Sequence, residues 1–229
     1  FFFSLFFLPL SLSPTYLIQI LMNTENEYEQ TYKCIIIGNA SAGKTSLLIR
    51  FVEECFQPDW GATLTFDFKS KIVETSNGHK QNIVIWDTAG SELFRSITSS
   101  FYRGAAIVLI AVDLSAEEGL DSVDSWYRDV CTFACDSECI ALVGTKTDLR
   151  DDPPAAMTSP CLSFEQLTEK ARKLGISNVF ECSAKTGKGV DELFVACTQI
   201  VYDHREELNH DTATFTSLST QIGESSTPS

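Results

Sequence analysis

The sequence predicts an α/β fold, in which one mostly parallel six-stranded sheet carries helices on both faces. The first observation is that, from about residue 31, short apolar runs of strand length alternate with longer segments of helical periodicity. Alternation of this kind needs crossover connections, which cover both faces of a parallel sheet. The second observation is the turn sequence Ser76-Asn77-Gly78, which joins two neighbouring strands directly. This hairpin predicts one antiparallel strand at the edge of the sheet.

The elements follow one another in a regular order along the chain. The predicted strands are residues 33–37, 66–73, 81–86, 105–113, 140–143 and 179–182, and the predicted helices are residues 44–52, 121–135, 164–174 and 190–202. The stretch 105–113 is apolar almost throughout, as expected for a strand that is covered on both faces. Residues 151–163 contain several prolines and predict a surface insertion.

A chain of 229 residues is expected to form one domain with tails. We assign residues 31–205 to the domain, 1–30 to an N-terminal extension and 206–229 to a flexible tail, because the last stretch is polar and rich in Ser and Thr. A net charge of −14 argues against nonspecific binding to nucleic acid or to an anionic membrane. The eight cysteines lack the regular spacing of a disulfide framework, so free thiols in the cytoplasm are expected.

Residues 1–21 differ from the rest of the chain, because they carry no charge and are rich in phenylalanine. Pro9 and Pro14 interrupt them, and the apolar part is short for a membrane span. They also lack the positive start of a signal peptide. We therefore expect that synthesis begins at Met22 and that residues 1–21 come from an overextended gene model. A real N-terminal membrane segment remains the alternative.

The first functional motif is a loop between the first strand and the first helix. Residues 38–45 read G-N-A-S-A-G-K-T, which fits the phosphate-binding pattern G-x-x-x-x-G-K-[ST]. The two glycines let backbone N–H groups approach phosphate oxygens, and the helix start adds further unpaired donors. Lys44 can reach the terminal phosphates, and the Thr45 hydroxyl can bind Mg²⁺. The predicted contacts of this loop are Ser41, Ala42, Gly43, Lys44, Thr45 and Ser46.

A second motif, Trp86-Asp87-Thr88-Ala89-Gly90, directly follows a predicted strand. Asp87 can hold the same Mg²⁺ through a water molecule. The backbone N–H of Gly90 can donate to the third phosphate and so sense its presence. A D-x-x-G pattern alone is a weak signal, but downstream of a phosphate loop it strongly indicates a nucleotide switch.

Two further motifs point to guanine. After the strand at 140–143, the carboxylate of Asp148 can accept hydrogen bonds from N1–H and the exocyclic amine of guanine, a donor pair that adenine lacks. The stem of Lys146 can lie over the base. After the last strand, the backbone N–H of Ala184 can reach the guanine O6. The predicted residues of this part of the site are Thr145, Lys146, Asp148, Ser183, Ala184 and Lys185.

These four motifs, in this order and spacing, resemble those of the small GTPases of the Ras superfamily, over about residues 31–202. Within the superfamily the chain most resembles the Rab family, above all in residues 94–105 (FRSITSSFYRGA) and 62–68 (ATLTFDF). Residues 142–152 and 181–184 look Rho-like. The resemblance implies the P-loop G domain fold, binding of GTP and GDP with Mg²⁺, GTP hydrolysis, and a switching role in vesicle trafficking or signalling. It also implies effector, exchange-factor and activating proteins as partners.

The resemblance also assigns roles to residues outside the motifs. Thr63 matches the switch threonine, which binds Mg²⁺ and touches the third phosphate, and Phe56 matches the aromatic at the guanine edge. The aromatics Phe68, Trp86 and Phe101 match the trio on which Rab effectors dock, with ordinary core packing as the alternative. In the segment around Thr63, Trp60 and Ala62 depart from the family pattern.

The catalytic position also departs from that pattern. Ser91 stands where the family has the glutamine that orients the attacking water. The resemblance implies Gly90, Ser91 and Lys44 as the catalytic residues. A serine side chain is too short to reach that water from the same place, which predicts slow intrinsic hydrolysis. Ala40 adds weakly to this expectation. The last cysteine is Cys197, so a C-terminal prenyl anchor is not expected, and any recruitment to endomembranes is expected to be indirect.

Three functions remain open at this stage. A regulatory GTPase, expected to be a monomer, would bind GTP, recruit effectors and hydrolyse the nucleotide with help. A binding module that holds GTP and hydrolyses almost none of it is favoured by Ser91 and Ala40. A P-loop kinase or ATPase is disfavoured, because Asp148 and Lys146 indicate guanine.

Overall fold

A computed structural model of the chain shows the predicted architecture. It describes residues 27–58, 67–87, 99–116, 118–155, 157 and 159–223. The six strands are β1 (Gln30–Ile37), β2 (Asp67–Glu74), β3 (Lys80–Asp87), β4 (Ile107–Asp113), β5 (Cys139–Thr145) and β6 (Asn178–Glu181). The helices are α1 (Lys44–Glu53), α2 (Ser99–Tyr102), α3 (Val123–Phe133), α4 (Asp148–Asp151), α5 (Phe164–Leu174) and α6 (Val190–Gly223). The short helices α2 and α4 were not predicted, since neither is long enough to show helical periodicity.

The strands form one sheet in the order β2-β3-β1-β4-β5-β6. Only β2 runs antiparallel to its neighbour, and it lies at the edge of the sheet, so the prediction of a mostly parallel sheet with one antiparallel edge strand is confirmed. The turn between β2 and β3 closes with a hydrogen bond from Gly78 N–H to Thr75 O, and Gly78 has a φ of 83°. A glycine suits this left-handed conformation because it has no Cβ.

Helices pack on both faces of the sheet because side chains alternate along β1. Cys34 and Ile36 face the side that α1 and α6 cover, whereas Ile35 and Ile37 face α3 and α5. On the first side the rings of Phe51 and Phe194 stack with their centroids 3.9 Å apart. Each fully buried aromatic of this kind contributes about 1.5–3 kcal/mol through burial. The core therefore fixes the ends of α1 and α6 against the sheet.

The final helix is longer than predicted. It continues past Tyr202 to Gly223, so residues 206–223 are helical, where the Ser- and Thr-rich composition indicated a flexible tail. The physical reason lies in the residues that stop helices. Between Val190 and Ile222 there is neither a glycine nor a proline, and the first such residue is Gly223 itself. A polar segment without helix-breaking residues can therefore continue the helix.

All eight cysteines are free thiols, as the sequence predicted. Four of them lie in the core, and burial raises the pKa of Cys34 well above its usual value and that of Cys182 to about 12. The thiols of Cys34 and Cys182 therefore stay neutral and act as small apolar side chains. Within the described ranges, the chain forms no helix with both the length and the apolar character needed to span a bilayer.

Candidate functional site

The predicted motifs meet at one edge of the sheet. Gly38 follows β1, Asp87 ends β3, Thr145 ends β5, and Cys182 follows β6. Because these strands are parallel, their carboxyl ends lie at the same edge, which is where ligands of open α/β sheets bind. The fold alone therefore brings segments that are far apart in the chain into one place.

The phosphate loop has the backbone that its sequence predicts. Gly38 and Gly43 have φ values of 139° and 79°, and Ser41 also lies in the left-handed region with a φ of 61°. Gly43 is the N-cap of α1, and no side chain caps the helix there. The positive end of the helix dipole therefore lies at this loop, where it favours an anion.

Lys44 is almost fully buried and already bound to its own loop. Its Nζ donates to the carbonyl oxygens of Gly38, at 3.0 Å, and Asn39, at 2.7 Å. Burial lowers the pKa of Lys44 to about 8, and the nearby carboxylate of Asp87 acts in the opposite direction. The ammonium therefore lies in a place where phosphate oxygens would supply the negative charge that neutral carbonyls do not.

Thr45 and Asp87, the two described residues that were predicted to bind Mg²⁺, lie in contact with each other. The hydroxyl of Thr45 donates to Oδ2 of Asp87 at 2.5 Å, and Asp87 is fully buried at the end of β3. A hydroxyl and a carboxylate beside a phosphate loop are the hard oxygen donors that Mg²⁺ prefers. The residues present therefore fit the ion.

Thr145 joins the guanine side of the site to the phosphate side. Its hydroxyl lies 2.8 Å from the carbonyl oxygen of Ala42 in the phosphate loop and 3.0 Å from that of Val112 in β4. The side chain is buried, so these contacts are not exchanged with water. The contact fixes the spacing between the two loops.

Lys146 is held by an acid that the sequence analysis did not single out. Its Nζ lies 2.6 Å from Oδ2 of Asp113, which ends β4, and its backbone has a φ of 62°. The other oxygen of Asp113 accepts from the N–H and the hydroxyl of Ser115. The signal was available, because Asp113 follows an apolar strand just as Asp87 does.

Asp148 lies at the start of α4 with its carboxylate oriented by the last loop. Its Oδ1 accepts from the Ser183 hydroxyl at 2.6 Å, and its Oδ2 lies 3.7 Å from the Nζ of Lys185. The Asp148 side chain is 11% exposed. The two residues that were predicted to recognise guanine, Asp148 and Ala184, are thus on loops that touch each other.

Two further contacts of the site were not predicted. The indole N–H of Trp126, on α3, donates to the side-chain oxygen of Asn39 in the phosphate loop at 2.9 Å. The guanidinium of Arg50, near the end of α1, binds the carbonyls of Ala184 and Lys185. Both contacts join residues far apart in sequence, so no local pattern announces them.

Several predicted residues lie outside the described ranges: Thr63, Gly90 and Ser91, together with Trp60 and Ala62. Their roles stay predictions. Phe56 lies in the loop after α1 and is half-buried, and its place at the guanine edge also stays a prediction.

The three candidate docking aromatics form a row across the edge of the sheet. The rings of Phe68 and Trp86 stack at 5.4 Å, and Phe101 meets Trp86 edge-on at 6.3 Å. Phe68 is 63% exposed, whereas Phe101 is 7% exposed. The ammonium of Lys33 lies over the Trp86 and Phe101 rings. The row thus starts at the surface and ends in the core.

Replacing Gly38 by alanine is expected to destabilise the fold by about 3–5 kcal/mol, because it adds steric overlap to backbone strain. A Cβ at Gly38 would lie 2.3 Å from the carbonyl oxygen of Ala111. Gly104→Ala is the matched control, since Gly104 also has a positive φ but nothing lies within 4 Å of its added Cβ. Its cost should be about 1 kcal/mol. Urea unfolding of the two variants measures the difference, and equal costs would contradict the close approach to Ala111.

The comparisons with known proteins agree with the motifs. The model of the family described as "Ras family" matches residues 33–203. The chain is 35% identical to "Ras-related protein SEC4" of Saccharomyces cerevisiae over 176 residues, which are 77% of each chain. It is 37% identical to "GTP-binding protein ypt2" of Schizosaccharomyces pombe over 76% of this chain and 82% of the relative. Human "Ras-related protein Rab-30" is also 37% identical, with the same coverage.

Proposed function

The chain belongs to the Ras family of small GTPases, close to its Rab members, and on this basis we propose that it binds GTP and GDP with Mg²⁺ and acts as a molecular switch in vesicle trafficking. One observation carries the proposal most directly. The phosphate loop and the guanine-recognising residue Asp148 lie at the same sheet edge, and Thr145 fixes the spacing between their loops. A nucleotide is the ligand that has a phosphate chain at one end and a base at the other.

Each described residue has a definite task in this proposal. The uncapped N-terminus of α1 and the buried ammonium of Lys44 bind the phosphates. Thr45 and Asp87 hold Mg²⁺, which supplies positive charge beside the phosphates when it is bound. Asp148, oriented by Ser183, accepts from N1–H and the amine of guanine. Adenine would leave that nearly buried carboxylate without its two donors from the base, and so it is rejected.

The switching step is assigned to residues outside the described ranges. Thr63 would bind the third phosphate and Mg²⁺, and Gly90 would donate its N–H to the same phosphate. Loss of that phosphate would release both segments and so change the surface that partners recognise. We place the effector contact on the aromatic row Phe68–Trp86–Phe101, where the exposed ring of Phe68 is the natural anchor. The cytoplasmic face of endomembranes is the proposed place of action.

The nucleotide content of the purified protein tests the core of this proposal. We expect GDP or GTP to be released on denaturation, and excess ATP to leave it bound. Chelation of Mg²⁺ should accelerate GDP release, because the positive charge that the ion would supply at Thr45 and Asp87 is lost. Free exchange with ATP would contradict the proposal.

A second candidate function is a binding module that keeps its GTP for long periods. Ser91 and Ala40 favour it, since the catalytic water would lack its usual orienting side chain. Purified protein that carries mostly GTP would support this candidate, whereas mostly GDP would support the hydrolysing switch.

Hydrolysis itself is expected to be slow, and Ser91→Gln should raise the single-turnover rate by about tenfold or more, because glutamine can reach the attacking water. Glu92→Gln is the control, since it places the same side chain one residue further on and should leave the rate unchanged. Equal rates for the natural chain and Ser91→Gln would show that the missing glutamine does not limit hydrolysis.

A further inference from the structure

Arg50 makes an unusual set of contacts at the end of α1. Its Nε donates to the carbonyl of Ala184 at 2.5 Å and its Nη2 to the carbonyl of Lys185 at 2.9 Å. Its Nη1 donates to the carbonyl of Glu54 at 2.7 Å. The stem of Arg50 also lies over the loop, with Cδ 3.9 Å from where a Cβ on Gly187 would be. One side chain thus ties the end of α1 to the loop that follows β6.

Two contacts of this loop, one of them made by Arg50, determine where two of its N–H groups point. The C=O and N–H of a trans peptide point in opposite directions, so fixing one fixes the other. Arg50 holds the Ala184 carbonyl and thereby aims the N–H of Lys185. The Gly187 N–H holds the Ser183 carbonyl at 2.8 Å and thereby aims the N–H of Ala184. Neither of these two aimed N–H groups has a hydrogen-bond partner in the described part of the chain.

We propose that Arg50 is a positioning residue for guanine recognition, which holds the loop of Ala184 and Lys185 so that its N–H groups meet the guanine O6. The proposal rests on the function proposed above, in which this loop recognises the base. Helix capping alone explains only the contact with Glu54, because the other two carbonyls lie more than 130 residues away in sequence. Only a guanidinium can serve three separate carbonyls from three nitrogens in one plane.

The loop is held from its two sides by different kinds of contact. Asp148 accepts from the Ser183 hydroxyl on the side of α4, and Arg50 donates to the carbonyls on the side of α1. Loss of Arg50 would leave the Asp148 contact in place. The affected part of base recognition should therefore be the O6 contact, with the contacts of N1–H and the amine retained.

Comparing GDP with 6-thio-GDP distinguishes the O6 contact from the contacts of N1–H and the amine. In 6-thio-GDP a sulfur, which accepts hydrogen bonds weakly, replaces O6, while N1–H and the amine remain. Arg50→Met keeps an apolar stem over Gly187 but removes the three donors. We expect it to accelerate GDP dissociation by about tenfold and 6-thio-GDP dissociation by about twofold, because the natural chain already lacks a full O6 contact to the thio analogue.

Arg205→Met is the matched control. Arg205, on α6, also makes several hydrogen bonds, to Glu138 and to Gln30 at the start of β1, away from the loops of the site. This control should change neither dissociation rate. Arg50→Lys retains the charge but cannot serve both loop carbonyls in one plane, and it should give an intermediate acceleration with the same preference for GDP. If Arg50→Met does not fold, as judged by its thermal transition, Arg50→Lys carries the test alone.

Equal acceleration of both nucleotides, or no acceleration of either, would overturn the positioning role. The natural chain reports separately on the proposed function through its preference for GDP over ADP. If that preference is present and Arg50→Met behaves as the natural chain does, only the role of Arg50 fails. If the natural chain shows no preference for GDP, the proposed function fails and the role of Arg50 with it.

Discussion

Replacing Asp148 by asparagine is expected to lower the affinity for GDP by about a thousandfold and to create binding of xanthosine diphosphate. The carboxylate is nearly buried and one of its oxygens is already bound by Ser183. An asparagine can keep that contact, but its amide group then turns a donor towards the donors of guanine. Xanthine carries a carbonyl where guanine has its amine, so the same amide group can donate to it. Titration calorimetry with both nucleotides measures the exchange of preference.

Asp151→Asn is the matched control for this change. Asp151 belongs to the same short helix α4 and is exposed, and it loses the same charge. It should leave the affinities for both nucleotides within about twofold of the natural chain. An Asp148→Asn variant that still prefers GDP would show that this carboxylate does not recognise the base.

Lys44→Met is expected to reduce GDP affinity by about a thousandfold or more without lowering the stability of the nucleotide-free protein. The ammonium is buried, its hydrogen bonds end on neutral carbonyls, and burial lowers its pKa to about 8. A buried cation with only neutral acceptors costs free energy in the empty protein, and phosphate contacts recover it. Methionine fills a similar volume without that cost. Urea unfolding and equilibrium binding, measured on the same samples, test the two halves of the expectation.

Lys33→Met is the control for Lys44→Met, and we expect it to lower stability without changing GDP affinity. The ammonium of Lys33 also donates to two carbonyls, those of Phe101 and Arg103, and it lies over two aromatic rings, but it is not part of the phosphate loop. Its loss should lower the free energy of unfolding by about 1–2 kcal/mol and leave GDP affinity unchanged. Unimpaired GDP binding by Lys44→Met would contradict the role of Lys44 in phosphate binding.

Most of the fold was predictable because the signals that define it are local. Apolar runs bounded by polar residues located most of the strands, and the Ser-Asn-Gly turn helped to locate the less apolar β2. The helix at Phe164–Leu174 was predicted to the residue, since Ser163 caps it and Gly175 follows it. The last helix was underestimated because composition was given more weight than the absence of helix-breaking residues. Helices α2 and α4 span four residues each, too few to show a period.

Some contacts of the candidate site were likewise predictable from local sequence, and others were not. The contact of Thr45 with Asp87 and that of Asp148 with Ser183 were predictable, because the motifs place these residues after parallel strands. The supporting contacts were not. Arg50 lies in an ordinary amphipathic helix and Trp126 reads as a core residue, so nothing in their neighbourhood shows that they bind loops far along the chain. Such residues become visible only once the fold brings the loops to them.

The length of α6 has a mechanical consequence. At about 1.5 Å per residue, the part of this helix that follows Tyr202 extends for about 30 Å. The end of a flexible tether with the same number of residues would sample a volume around the domain. A helix instead holds its end at a fixed distance and in a fixed direction from the domain. Anything bound near Gly223 would therefore meet only targets at that distance, and its effective concentration would depend steeply on their geometry.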